Sequence, residues 1–191
     1  MSSRPGYPTP ADLAAAEGKS VPDVIAADLD VLFCGVNPGL WTAAVGHHFA
    51  RPGNRFWKAL HLSGFTDRLL SPDEERLLLE ARLGITNLVD RASRSAGELT
   101  RAELRQGAKK VTRKISRWRP AVLAVLGMSA YRSAFDRADA GVGLQPDPLA
   151  GSRVWLLPNP SGLQAHYQLA DIVEQLKELR AFVTPARREP A

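Results

Sequence analysis

The 191-residue sequence predicts an α/β fold, a three-layer sandwich with a central, mainly parallel four-stranded sheet and helices on both faces. Three observations predict it. Short apolar runs of strand length alternate with segments of helical period, the pattern of strand–helix–strand units around a parallel sheet. Two of those runs end abruptly in Asn-Pro followed by small residues, at Asn37-Pro38-Gly39 and at Asn159-Pro160-Ser161-Gly162. A buried strand that stops at an amide side chain is what an open sheet presents at its carboxyl edge, where such sheets bind ligands, so two such ends can face one crevice. Finally, 45% hydrophobic and 24% charged residues over this length suit one globular domain with a sizeable core.

In chain order, residues 1–20 hold Pro5, Gly6, Pro8, Pro10 and Gly18 with little periodicity. They read as a flexible tail with a short helical turn over 11–17. Residues 21–184 form the single domain, and 185–191 a frayed C-terminus. Residues 31–36 are the first strand and 55–62 a helix. Ser71-Pro72-Asp73-Glu74 opens another helix, with Ser as cap and Pro at the first position, and Gly84 closes it. Residues 85–89, 121–126 and 153–157 supply the second, third and fourth strands, with helices over 100–118 and 129–135 between them. The stretch 139–152, rich in Gly and Pro, is a surface loop. Leu169, Ile172, Val173, Leu176 and Leu179 mark the apolar stripe of a last helix. On the long helix, Arg101, Arg105, Lys109, Arg113 and Arg117 recur every four residues opposite Leu104, Ala108, Val111, Ile115 and Trp118. A solvated face accounts for this, and a phosphate-tracking face is the alternative.

Composition narrows the function. No apolar run approaches the roughly 18 residues of a membrane span, and the N-terminus lacks a basic-then-apolar pattern. The expectation is a cytoplasmic protein, nucleoid-associated if prokaryotic, with no membrane partner. Cys34 is the only cysteine, which excludes an intramolecular disulfide and a thiolate-held metal within one chain. A formal charge of +5 favours a polyanionic partner.

Five segments carry a more specific signal. Gly35-Val36-Asn37-Pro38-Gly39-Leu40, Asn54-Arg55-Phe56-Trp57-Lys58, Gly64-Phe65-Thr66, Leu88-Val89-Asp90-Arg91 and Leu157-Pro158-Asn159-Pro160-Ser161-Gly162-Leu163 occur in this order. Their order and spacing resemble the mismatch-specific uracil/thymine-DNA glycosylase family, from about residue 21 to about residue 179. The resemblance implies a uracil-DNA glycosylase-like fold and hydrolysis of the N-glycosidic bond of uracil, and of some damaged or 5-substituted pyrimidines, mispaired with guanine in double-stranded DNA. Base flipping and water attack would leave an abasic site for downstream abasic-site repair enzymes. It further implies a monomer needing no metal and no cofactor. A catalytically weak or inactive DNA-lesion-binding module of the same fold is the alternative.

The chemistry asks for these residue types. Breaking the bond develops cationic character on the sugar and negative charge on the departing base. By resemblance Asn37 positions the attacking water; an amide orients that water without strongly activating it. Read as a residue alone, Asn37 equally caps a turn. Asp90 is the second catalytic candidate, as base or cation stabiliser, against a surface ion pair with Arg91 or Arg94. The implied base pocket comprises Val36, Gly39, Thr42, Phe49, Asn54 and Asn159. There Gly39 leaves room at position 5 of the pyrimidine or is a turn glycine, Phe49 stacks on the base or belongs to the core, and Asn54 lines the pocket or caps a helix. The implied DNA contacts are Ser161 and Gly162 to phosphate, Leu163 as the wedge filling the vacated stack, and Gln164 beside it. Leu163 is otherwise a core residue beginning the last helix. The chain departs from the family pattern at Thr42, where relatives often show small serines, and after Leu163, where Gln164-Ala165-His166-Tyr167 contains no arginine. His47 and His48 lie in the pocket loop as contacts to substrate or phosphate, or as bystanders. No lysine is placed by motif for a Schiff base, so strand cleavage is not expected.

Overall fold

A computed structural model describes residues 7–162 and 167–184. Its strands in chain order are β1 (Val31–Gly35), β2 (Leu83–Asn87), β3 (Val122–Leu126), β4 (Gly143–Leu144) and β5 (Arg153–Leu157), arranged β2-β1-β3-β5-β4. The β1–β2, β1–β3 and β3–β5 pairings are parallel, and β4 adds an antiparallel edge through Gly143 opposite Leu156. Strands buried on both faces need continuous apolar runs, and β1, β2 and β3 are buried at every position.

The period of two divides those side chains between two cores. Val31, Phe33, Leu83, Ile85, Val122, Ala124, Trp155 and Leu157 pack toward helices α3 (Phe56–Leu62) and α6 (Leu169–Val183). Leu32, Cys34, Leu123, Val125, Val154 and Leu156 pack beneath α4 (Arg101–Trp118), near α5 (Met128–Phe135). The three layers are therefore those expected. Burial pushes the Cys34 thiol up to about 12, so it is an inert core group.

Several expectations are corrected. The sheet has five strands rather than four, because the segment 139–152 contributes β4. Two residues carry no period of their own, and the pairing is supplied by the exposed backbone of β5. The segment Pro72–Ala81 is a 3-10 helix that ends with Arg82 in the left-handed region (φ 58°) and not at Gly84. Gly84 lies inside β2, where an added Cβ would stand 2.6 Å from the Val24 carbonyl oxygen, so the glycine marks a close approach of backbones. Within residues 7–20, α1 (Pro10–Ala15) carries a Thr9–Asp12 capping box, Ala16 is fully buried, and Gly18 N–H donates to the Ala92 carbonyl at 3.0 Å. Two short elements have no expected counterpart, namely α2 (Leu40–Val45), directly after the first Asn-Pro motif, and a 3-10 turn over Ala96–Glu98. Among the described residues no helix is long and apolar enough to cross a membrane.

Gly107 lies in the interior of α4, where alanine is ordinarily favoured by about 1 kcal/mol. Here an added Cβ would stand 2.2 Å from the backbone oxygen of Leu88. Overpacking of that kind costs about 1–3 kcal/mol, so Gly107→Ala is expected to destabilise the protein despite its helix propensity. Urea denaturation checks this; an unchanged or higher midpoint would refute the close contact.

Candidate active site

Because β1, β2, β3 and β5 run parallel, their carboxyl ends share one edge. That edge holds a cavity of about 290 Å³, at the small end of the roughly 300–1,000 Å³ typical of ligand sites. Asn37 and Asn159 both line it, together with Val36, Gly39, Thr42, Phe49, Asn54 and Ser161. The two Asn-Pro strand ends therefore do meet in one cavity. Gly162 is not among the lining residues, although an added Cβ there would come 2.8 Å from the Gly53 carbonyl, so its loop abuts the cavity wall. Leu163 and Gln164 lie outside the described residues.

The Asn37 amide is held by a distant loop. Its Nδ2 donates to the carbonyls of Pro38 (3.2 Å) and Arg91 (3.1 Å) and to Ser93 Oγ (2.8 Å), whose own hydroxyl donates to the Ser95 carbonyl (2.7 Å). All these partners accept, so the orientation is unambiguous: Nδ2 faces the loop, and Oδ1, without a partner among the described residues, is the acceptor end. Turn capping accounts for only the bond to Pro38.

Asn54 and Asn159 are held the opposite way round. Asn54 lines the cavity, and its Oδ1 accepts from Phe56 N–H at 3.0 Å in a local turn just ahead of α3, whose N-cap is Arg55 and not Asn54. Asn159 Oδ1 accepts from Ser161 N–H at 2.9 Å. Arg55 then ties down Pro160, Ser161 and Tyr167: its backbone N–H donates to the Pro160 carbonyl (3.0 Å), and its guanidinium to the carbonyls of Pro160 (3.3 Å), Ser161 (2.6 Å) and Tyr167.

Phe49 stacks on Phe56 with ring centroids 4.1 Å apart, and it also lines the cavity. Phe49 thus packs, partly buried, against the core while lining the cavity. Its backbone lies in the left-handed region (φ 54°), uncommon for a bulky residue. The preceding residue holds it there. His48 N–H donates to Glu75 Oε2 (2.7 Å), the His48 carbonyl accepts from Trp57 Nε1 (3.1 Å), and His48 Nε2 lies 2.9 Å from the Pro22 carbonyl. Gly39 has ordinary backbone angles (φ −73°, ψ 160°), and an added Cβ would meet nothing within 4 Å. What glycine supplies there is empty space.

Sequence reasoning missed Asn87, at the end of β2. It lines the cavity, and its Nδ2 lies 3.4 Å from His48 Nδ1. A carbonyl only accepts, so His48 must carry its proton on Nε2 toward Pro22. Burial lowers the His48 pKa, outweighing the Pro22 carbonyl and the carboxylates of Glu75 and Asp23, which favour the charged form. Nδ1 of the neutral ring is then an acceptor, which directs Asn87 Nδ2 to it and leaves Oδ1 free. Gly35 makes room for this oxygen: a Cβ there would stand 2.6 Å from it and 3.4 Å from the Phe49 ring. The only signal for Asn87 in the sequence was that it is a polar amide inside the apolar run 85–89.

Asp90 is not at the cavity. It lies in a separate depression, its carboxylate 2.8 Å from Lys110 Nζ and 3.7 Å from Lys114 Nζ. The expected partners are also corrected, since Arg91 pairs with Glu103 and Arg94 lines the cavity. Asp90 therefore stands as an ion-paired surface group, away from Asn37. On α4, Arg101 and Arg105 pair with Asp136, so part of the basic stripe is already neutralised. His47 pairs with Glu75, and among the described residues no three His, Cys, Asp or Glu side chains converge to hold a metal ion.

The family model of the uracil DNA glycosylase superfamily matches residues 22–182. The chain belongs to the uracil DNA glycosylase superfamily. Its fold is similar to the solution NMR structure of a proposed uracil DNA glycosylase from Methanosarcina acetivorans, with a TM-score of 0.58 and 16% sequence identity over 85% of this chain and 98% of that chain. In this superfamily member the cavity lies where the two Asn-Pro motifs and the ends of four parallel strands converge.

His48 supplies a test by pH. Its folded-state pKa lies below the ordinary 6.5, so the unfolded chain binds the proton first as pH falls. Stability is then full above about pH 6.5 and declines below it. Glu74 and Glu103, held down to about 2 by hydrogen bonds from Arg68 and Arg91, act only below their ordinary 4.5 and leave this interval clear. The thermal midpoint is expected to fall between about pH 7 and pH 5, and His48→Gln to flatten that fall; equal slopes would refute the buried neutral ring.

Proposed function

We propose that the protein is a DNA glycosylase that excises uracil, and some damaged or 5-substituted pyrimidines, opposite guanine in duplex DNA and leaves an abasic site. The observation that carries this reading is the convergence of Asn37 and Asn159 on one small cavity whose described lining contains no carboxylate. A base inside a duplex cannot reach such a cavity, so the nucleotide must flip out, at a cost of a few kcal/mol. Phe49 would offer its face to the extruded base, and stacking of that kind contributes roughly 1–3 kcal/mol. The amides of Asn54, Asn87 and Asn159 supply donors and acceptors for the pyrimidine edge.

Asn37 Oδ1 would accept a hydrogen bond from the attacking water and aim its oxygen at C1′. The C1′–N1 bond breaks, its electron pair leaves with the base, and the water oxygen bonds to C1′ while its proton passes to solvent or to the departing base. Both ring nitrogens of His48 are engaged, and the described lining of the cavity holds no carboxylate to deprotonate the water. The rate would then depend on how well the base leaves, which favours mispaired, damaged or electron-poor pyrimidines. The abasic product would pass to abasic-site repair enzymes.

Duplexes carrying uracil opposite guanine or adenine, incubated in EDTA and then treated with alkali, test the reading. Breaks at uracil opposite guanine are expected, far fewer opposite adenine, and none without alkali. Asn37→Ala should slow single-turnover release by about a hundredfold or more while DNA binding persists. Absence of breaks with every duplex would overturn the enzymatic reading.

Gly39 tests the pocket separately. Because a Cβ fits its backbone and meets no protein atom, Gly39→Ala is expected to leave folding and uracil release within about threefold of the parent, yet to reduce thymine release opposite guanine by tenfold or more, on the order of a methyl-sized discrimination. Equal effects on both bases would place the 5-position elsewhere.

A further inference from the structure

Two of the cavity's lining residues are not explained by recognition of a base. Arg51 and Arg94 are exposed, both line the cavity, and neither guanidinium has an ion-pair or hydrogen-bond partner among the described residues. Elsewhere Arg68, Arg82, Arg91, Arg101, Arg105 and Arg137 are paired with carboxylates, and the other arginines without a carboxylate partner among the described residues, such as Arg76, Arg113 and Arg153, do not line the cavity. The described lining of the cavity contains no Asp or Glu, so its only formal charges are these two cations.

Their positions in the chain place them beside different parts of the machinery. Arg51 lies two residues before Gly53, the residue whose carbonyl abuts Gly162 in the second Asn-Pro loop. Arg94 follows Ser93, whose hydroxyl accepts from Asn37 Nδ2. A cation at each of these loops, above an interior of neutral amides, matches a ligand whose body is uncharged and whose flanks are anionic. A single extruded nucleotide within a strand has that charge pattern, a neutral base between two phosphodiesters.

We propose that Arg51 and Arg94 form a phosphate clamp at the cavity mouth, each neutralising one phosphodiester of the lesion-bearing strand near the flipped nucleotide. The proposal rests on the reading of the protein as a DNA glycosylase and adds the residues that grip the backbone. An exposed, planar guanidinium with free N–H groups suits bidentate binding to phosphate oxygens. Neither side chain makes a hydrogen bond or ion pair with the described residues, so each can be removed without disturbing the bonds that hold Asn37 and Asn159.

The test is the salt dependence of DNA affinity. The full chain is titrated onto a duplex carrying a tetrahydrofuran abasic analogue opposite guanine, and onto the same duplex undamaged, across a range of salt concentrations. Each phosphate contact contributes about 0.9 to the slope of log K against log[salt]. Arg51→Ala and Arg94→Ala are each expected to reduce that slope by about 0.9, and to weaken binding about eightfold at 0.1 M salt. The double variant should lose about 1.8. Single-turnover uracil release at subsaturating enzyme should fall in proportion to the lost affinity, and Arg→Lys at either position should retain most of the slope. Arg113→Ala, which removes an exposed cation on α4 away from the cavity, is the control for net charge and should leave the slope unchanged.

Slopes unchanged in both cavity variants, or lowered equally by Arg113→Ala, would overturn the clamp. So would a loss of release rate with an intact slope, which would make the two arginines base contacts. A parent protein that releases no base but shows the predicted slope changes would overturn the glycosylase reading and leave the clamp standing.

Discussion

The parallel pairing of β1 with β3, and of β3 with β5, is the constraint on which the cavity depends. Parallel strands bring every carboxyl end to one edge, with the connecting helices returning the chain across the faces. The register aligns Gly35 with Asn87 and Leu126 with Leu157, so the residues just beyond β1 and β5 emerge together. Had one of these strands run the other way, Asn37 and Asn159 would stand at opposite edges. The ladder is secured by two dry cores, one on each face, and both draw on alternate residues of the same strands. A slip by one residue would exchange those faces and carry the amides with them.

Within that frame, four amides do the local work by having one end tied and the other offered. Asn37 and Asn87 give their Nδ2 groups to fixed acceptors and keep Oδ1 free. Asn54 and Asn159 give Oδ1 to backbone N–H groups and keep Nδ2. The cavity therefore offers acceptors and donors at set positions before any ligand arrives, and none of them changes charge with pH. Preorganised neutral dipoles of this kind stabilise developing charge with little reorganisation. The supporting bonds reach far along the chain: Ser93 is 56 residues from Asn37, and His48 is 39 from Asn87. The left-handed backbone of Phe49 belongs to the same support, since bonds from His48 to Glu75, Trp57 and Pro22 hold a conformation the residue would not choose alone.

Charge is arranged in layers around this site. The interior is neutral and its lining carries the cations Arg51 and Arg94, while Arg68, Arg82, Arg91, Arg101, Arg105, Lys110, Lys114, Arg137 and Lys177 are matched by carboxylates. The formal charge of +5 is thus a poor guide taken as a total. Cations without a carboxylate partner among the described residues are spread over the surface, at Lys58, Arg76, Lys109, Arg113, Arg117 and Arg153 for example, and what sets Arg51 and Arg94 apart is that they line the cavity.

The sequence by itself determined what depends on near neighbours. Apolar runs bounded by Asn-Pro specified β1 and β5 and the edge where they end, the 3.6-residue stripe of Leu104, Ala108, Val111 and Ile115 specified α4, and the five ordered motifs pointed to the superfamily. Tertiary structure alone decided which side chains meet. Asp90 is adjacent in sequence to a motif, yet its carboxylate turns to Lys110, because a lysine on the packed helix stands closer than any group in the cavity. Asn87 carried no motif of its own and became part of the site because β2 pairs with β1. Gly84, read as a helix stop, proved to be a strand residue where two backbones nearly touch. Spacing encodes periodicity and turn chemistry within a few residues, whereas contacts across tens of residues are set by how the layers pack, and that packing is written nowhere in the local pattern.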